Sequence, residues 1–121
     1  MESVAGEKGS ARTPEQATKL QAIPSGASIL VKNGFYEGLE VCLDRERLVL
    51  GRGRSADVTL AEPTISRSHA AIGFDADGFF MQDLGSTNGT TVNGGKAVRA
   101  VLKHGDIIQM GKLTLGVSLP G

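Results

Sequence analysis

The sequence holds no tryptophan, one cysteine, four prolines and only 4% aromatic residues, and its 13 Lys and Arg offset 13 Asp and Glu to leave no formal net charge. Each scarcity removes a class of function. A lone Cys42 can close no internal disulfide and has no second thiol for a zinc knuckle, so redox and structural-metal readings lapse. His69 and His104, far apart in the chain, make no case for a transition metal, and no cofactor is implied. Charge balance argues against a nucleic-acid binder, whose affinity grows with the number of Lys and Arg contacts to phosphates. Any anion site must therefore be local. No segment reaches the ~18 apolar residues of a bilayer span, and the opening Met1-Glu2-Ser3-Val4 lacks the basic start and apolar run of a signal peptide. These absences predict a cytoplasmic protein without membrane insertion.

What is present is one domain's worth of chain, 121 residues with 40% hydrophobic, and 17 glycines that follow no G-X-Y period. Residues 1–26 are rich in Ser, Gly, Glu, Lys, Ala and Thr and hold few large apolar side chains, which predicts a flexible tail. Within it Thr13-Pro14-Glu15-Gln16 reads as a short helix start that Pro24 stops. From Ala27 the period becomes two: Leu39, Val41 and Leu43 alternate with polar neighbours, as do Leu113, Leu115, Val117 and Leu119. Short apolar runs at 29–31, 48–50, 58–60, 70–74, 79–84 and 107–110 are punctuated by Asn33-Gly34, Asp77-Gly78, Asn93-Gly94 and a turn at 103–106. No sustained helical period follows residue 26. Many short strands at close turn spacing over 27–119 predict an all-β antiparallel sandwich or barrel.

Three loops are more distinctive than the strands. They are Gly51-Arg52-Gly53-Arg54-Ser55, Thr64-Ile65-Ser66-Arg67-Ser68-His69 and Leu84-Gly85-Ser86-Thr87-Asn88-Gly89-Thr90. Their guanidinium forks, hydroxyls, amide and glycine-rich backbone suit a tetrahedral oxyanion. The two strands between the second and third loops return the chain to the same end of a sheet; nothing comparable forces the first loop there. Rival readings fail on context. Gly51-Arg52-Gly53-Arg54-Ser55-Ala56 fits a dinucleotide pattern, but the β-branched, short Asp57-Val58-Thr59-Leu60 before Pro63 opens no helix. Gly94-Gly95-Lys96-Ala97 lacks the spacing and hydroxyl of a Walker loop, and Asp75-Ala76-Asp77-Gly78 is too short for a calcium loop. Ser66, His69 and Asp83 lack the nucleophile elbow of a hydrolase, and Asp83 reads as a satisfied structural carboxylate.

The ordered set Gly51-Arg52, Ser66-Arg67-Ser68-His69, Asp83 to Thr90, Val92-Asn93-Gly94 and Leu102…Gly105-Asp106-Ile107…Gly111 closely resembles the forkhead-associated (FHA) domain. The resemblance implies an FHA/SMAD-like β-sandwich of about ten to eleven short strands over 27–119. It also implies a non-catalytic module that binds phosphothreonine peptides. Carried over residue by residue, Arg52 grips the phosphate, Ser66 donates its hydroxyl to it and Arg67 offers a second contact. Thr87 helps hold the phosphothreonine, and Asn88 bonds the peptide main chain. Gly51, His69 and Gly89 support the loops, while Arg54 and Thr64 are candidate specificity positions. Implied partners are phosphothreonine proteins and a Ser/Thr kinase or its substrates. The alternative is a phosphate-independent scaffold or oligomerising domain of a larger assembly such as a secretion system. Thr13 and Thr18 are candidate phosphorylation sites that would let the tail occupy its own domain's site.

Overall fold

The structure, a computed structural model, describes residues 23–120. Thr13, Thr18 and the helix start beginning at Thr13 lie outside the described residues. Among the described residues there is no helix and there are eleven strands: β1 (Ser28–Val31), β2 (Glu40–Cys42), β3 (Arg47–Gly51), β4 (Val58–Thr59), β5 (Ala70–Asp75), β6 (Gly78–Asp83), β7 (Thr90–Val92), β8 (Gly95–Lys96), β9 (Arg99–Val101), β10 (Ile107–Met110) and β11 (Leu113–Ser118). They form a six-stranded sheet in the order β2-β1-β11-β10-β7-β8 and a five-stranded sheet in the order β4-β3-β5-β6-β9.

Period-two alternation explains why the sheets pack face to face. Ile29, Val31, Ile108, Met110, Leu113, Leu115 and Val117 project from one sheet, and Leu48, Leu50, Ile72, Phe79 and Met81 from the other, into one buried core. The alternation of Leu39, Val41 and Leu43 is real but graded. Leu43 is buried, Val41 half-buried and Leu39 exposed, because β2 is an edge strand with a neighbour on one side only.

Two features depart from the sequence reading. Pairing is antiparallel except between β3 and β4, whose two-residue ladder (Leu50 opposite Val58, Gly51 opposite Thr59) is parallel. The chain doubles back there because Asp57 clamps Val49 twice: its N–H donates to the Val49 carbonyl at 2.8 Å, and its carboxylate accepts the Val49 N–H at 2.8 Å. The turns differ as well. Asn93-Gly94 is the expected two-residue hairpin, with φ of 52° and 85°, joining Val92 to Gly95. Asp77-Gly78 is not the central pair of its turn, since Asp75 faces Gly78 across β5–β6 and Ala76-Asp77 form the tip. Asn33-Gly34 sits inside the longer 32–39 connection, where the Asn33 amide bridges the β10–β11 hairpin, donating to the Lys112 carbonyl at 3.0 Å and accepting the Thr114 N–H at 2.9 Å.

Candidate functional site

The end of β3 brings the first loop to the second. Gly51 lies against the Arg67 carbonyl so closely that any Cβ there would overlap it. This close approach requires glycine and is invisible in one-dimensional pattern. It lets the Arg52 N–H donate to the Ser66 carbonyl and the Gly53 N–H to the Arg67 carbonyl, each at 3.0 Å. The Arg52 Nε–H adds a bond to the Ile65 carbonyl at 2.9 Å, which fixes the guanidinium, and its two terminal amino groups make no bond among the described residues.

The second loop is joined to the third by β5 and β6, which pair Ala70 with Asp83. His69, with no solvent exposure, completes the junction. Its Nδ1 accepts the Ser66 backbone N–H at 3.0 Å, which places the ring proton on Nε2, and Nε2–H donates to the Gly89 carbonyl at 2.9 Å. The imidazole is thus a rivet between two loop backbones. It touches the main chain of Ser66 rather than its hydroxyl, and Asp83 bonds to neither residue, so no catalytic triad is assembled. The Ser66 Oγ accepts the Thr87 N–H at 3.0 Å, and its own hydroxyl proton has no acceptor among the described residues.

Asp83 organises the third loop from beneath. Its carboxylate accepts the backbone N–H groups of Gly85 and Ser86, each at 3.0 Å, and the hydroxyls of Ser86 and Thr90. Partial burial raises its pKa, but those four hydrogen bonds outweigh that effect and hold it below the ordinary aspartate value. Ser86 Oγ in turn accepts the Gly89 N–H at 2.9 Å.

Thr64, expected as a specificity position, is committed internally. Its hydroxyl donates to the Glu62 carboxylate at 2.6 Å and accepts the Lys112 N–H at 2.8 Å, while its carbonyl accepts the Asn88 Nδ2–H at 2.7 Å. The Thr64 hydroxyl and N–H, with Lys112 nearby, hold the Glu62 carboxyl below its ordinary value against a smaller effect of desolvation. Asn88 therefore acts first as a strut. Its Oδ1 and second amide hydrogen have no partner among the described residues.

What faces solvent is cationic. Arg52, Arg54 and Arg67 are exposed and line, with Gly53 and Ser55, a hollow of about 490 Å³. None of the three makes an ion pair among the described residues, and the nearby acids are engaged elsewhere: Asp57 with Arg45 and Val49, Glu62 with Thr64. Thr64, Ser66, Thr87 and Asn88 do not line this hollow. Arg52, Ser66, Arg67, Thr87 and Asn88 thus occupy one stitched set of loops, together with Gly51, His69, Gly89, Arg54 and Thr64. Sequence reasoning passed over Phe35, 93% exposed at the same end, and Tyr36 beside it, whose hydroxyl accepts the Ala61 N–H at 3.1 Å. The only signal for them was an aromatic pair directly after Asn33-Gly34.

These features define a β-sandwich module that carries its polar, cationic surface on interlocked loops at one end. A family model for the FHA domain matches residues 48–111, and the chain belongs to that family. It is 38% identical over 97 residues to an oxoglutarate dehydrogenase inhibitor of Corynebacterium jeikeium, covering 79% of this chain and 67% of the relative. It is 37% identical over 106 residues to the glycogen accumulation regulator GarA of Mycolicibacterium smegmatis, covering 87% of this chain and 67% of the relative. The chain thus spans about two thirds of these relatives' length. Among solved structures, an FHA domain from work on phosphothreonine-dependent FHA domain interactions superposes with a TM-score of 0.72 at 30% identity, covering 78% of this chain and 97% of that one. The FhaA FHA domain complexed with the intracellular domain of Rv3910 superposes with a TM-score of 0.69 at 32% identity, covering 76% of this chain and 99% of that one.

Proposed function

We propose that this chain is a non-catalytic module that binds phosphothreonine-containing segments of partner proteins through the loops around Arg52. The observation that carries the proposal is the set of exposed arginines without acidic partners, next to a Ser66 hydroxyl whose proton is free to donate. Phosphothreonine brings about −1.5 to −2 charges and three acceptor oxygens, which match the unbonded amino groups of Arg52, the Ser66 hydroxyl and the Arg67 guanidinium. Thr87 packs against the ligand's threonine, and the free Oδ1 and N–H of Asn88 meet the peptide backbone. The names of the relatives, an inhibitor and a regulator, support a regulatory role. We place that role in the cytoplasm, exerted by protein contact, with a Ser/Thr kinase or its substrates as partners. Phosphorylated Thr13 or Thr18 falls within the same proposal as an intramolecular ligand that would compete with partners.

The test is calorimetric titration with a phosphothreonine peptide and its unphosphorylated twin. Hydrogen bonds to charged groups contribute about 1.5–3 kcal/mol each, so three or four of them, less the entropy of association, give roughly micromolar affinity. Arg52→Ala loses two unbonded donor groups and is expected to weaken binding by at least about tenfold. Equal affinity for both peptides, or undiminished binding by folded Arg52→Ala, would point instead to a phosphate-independent scaffold.

A further inference from the structure

One hydroxyl lines the hollow beside Arg52, and it belongs to Ser55. Ser55 is exposed, in the turn between β3 and β4, and shares the walls with Arg52, Gly53, Arg54 and Arg67. Neighbouring hydroxyls are engaged: the Ser66 Oγ accepts the Thr87 N–H, and the Thr59 hydroxyl donates to the Gly53 carbonyl at 3.2 Å. The Ser55 hydroxyl makes no hydrogen bond among the described residues. The sequence sets the same residue apart. Of all the serines and threonines in the chain, Ser55 alone has an arginine or lysine three positions before it, Arg52, and Arg54 immediately precedes it. A basic run ahead of a serine is the charge pattern by which a Ser/Thr kinase with an acidic substrate cleft selects its acceptor.

A phosphate built on Ser55 would enter the surroundings that suit it. Arg52, Arg54 and Arg67 have no acidic partner among the described residues, and Asp57, the acid closest in sequence, is engaged with Arg45 at 3.8 Å and with the Val49 N–H. The hollow, at about 490 Å³, is many times the ~30 Å³ share of one water, so a phosphoryl group has room. Phosphoserine carries about −1.5 to −2 charges, which would cancel more than half of the charge on these arginines. Held covalently beside the guanidiniums, it loses no translational freedom on pairing, unlike a diffusing ligand. We propose that Ser55 is a phosphorylation site whose phosphate pairs with the arginines of its own chain and shuts the hollow against phosphorylated partners. The shut-off rests on the phosphopeptide reading above, whereas the acceptor does not. In the transfer, the Ser55 Oγ bonds to the γ-phosphorus of a nucleoside triphosphate as the bond from that phosphorus to the bridging oxygen breaks. The nucleoside diphosphate leaves with the electron pair, and the hydroxyl proton passes to the kinase's base.

The experiment uses the full chain in three arms. In the first, the chain is incubated with ATP and a Ser/Thr kinase that requires arginine three residues before its acceptor, and the product is mapped by fragment mass spectrometry. Phosphate on Ser55 is expected, and its absence there would overturn the site; Ser55→Ala serves as the control for the assignment. In the second, the chain is produced with phosphoserine at residue 55, and its phosphorus NMR signal is followed against pH. Pairing with guanidiniums is expected to bring the second ionisation of the phosphate below its ordinary value of about 6, and Arg54→Ala or Arg67→Ala to move it back. The side chains of Arg54 and Arg67 make no bond among the described residues, so these variants are not expected to disturb folding. A midpoint at the ordinary value would overturn the pairing, and concentration-dependent self-association of the phosphorylated chain would overturn its being intramolecular. In the third, calorimetry with a phosphothreonine peptide compares the phosphorylated and unmodified chains. Phosphorylation is expected to weaken binding by at least about tenfold, and the ratio to shrink as salt is raised, which unfolding would not produce. Equal affinities would overturn the shut-off and leave the phosphopeptide reading standing. Equal binding of phosphorylated and unphosphorylated peptides by the unmodified chain would overturn both.

Discussion

Among the described residues His69 is the one buried side chain that bonds both of these loop backbones, so replacing it by Phe probes the rivet directly. Phenylalanine fills the space of the imidazole but offers nothing to the Ser66 N–H or the Gly89 carbonyl, which the ring now holds at 3.0 and 2.9 Å. A buried polar group left without a partner costs about 1–3 kcal/mol. Ser66 and Gly89 are half-buried rather than sealed, so the pair is expected to cost about 2–4 kcal/mol in total. Against a typical domain stability of about 5–15 kcal/mol that is a large fraction, and at roughly 4–8 °C per kcal/mol the melting temperature should fall by at least about 8 °C. Urea unfolding should show a lower midpoint with an unchanged slope. His69→Asn is expected to recover part of the loss, because its Oδ1 can accept the Ser66 N–H from near the position of Nδ1. A Phe variant within about 0.5 kcal/mol of the parent would refute the reasoning, since such a change is the size of an ordinary surface substitution.

Gly51→Ala places a methyl onto the Arg67 carbonyl, with backbone on both sides of the clash. Overpacking of this kind costs about 1–3 kcal/mol, and a thermal melt should register it together with weaker phosphopeptide binding as Arg52 is displaced. The folded-state pKa of Asp83 lies below its unfolded value. Its contribution to stability is therefore fully present above the unfolded pKa and is lost as pH falls through the folded one. Asp83→Asn should accordingly lower stability at neutral pH and flatten the decline below about pH 4, read from urea midpoints across that range. Parallel curves for the two proteins would contradict the role assigned to the carboxylate.

Much of the sandwich was legible because alternation in β11 and β10 is strong and buried on one side: Leu113, Leu115 and Val117 face the core opposite Ile108 and Met110. Asn93-Gly94 was legible for a local reason, since both residues accept positive φ. The short elements β8 and β9 escaped notice. Gly95–Lys96 and Arg99–Val101 are too brief and too polar to show a period, and only pairing with β7 and β6 makes them strands. Within the site, parity predicted that the loops flanking β5 and β6 meet, whereas the arrival of the first loop depended on the missing Cβ of Gly51. The resemblance marked His69 as a supporting residue, yet which groups it joins is a tertiary fact. Thr64 was marked by the resemblance as a specificity position, and the bonds of its hydroxyl to the Glu62 carboxylate and the Lys112 N–H are likewise tertiary facts.

The bonds that align the loops come from backbone groups and from Arg52, Ser66, Asn88, His69, Asp83, Thr64 and Asn33, whereas the side chains of Arg54, Arg67 and Thr87 take no part in them. The site thus has a braced inner group and an outer second group that the frame does not use. Mutational drift at the second group can retune what is captured without unfolding the frame, so one ancestral scaffold could be repurposed for successive partners by a few exposed exchanges.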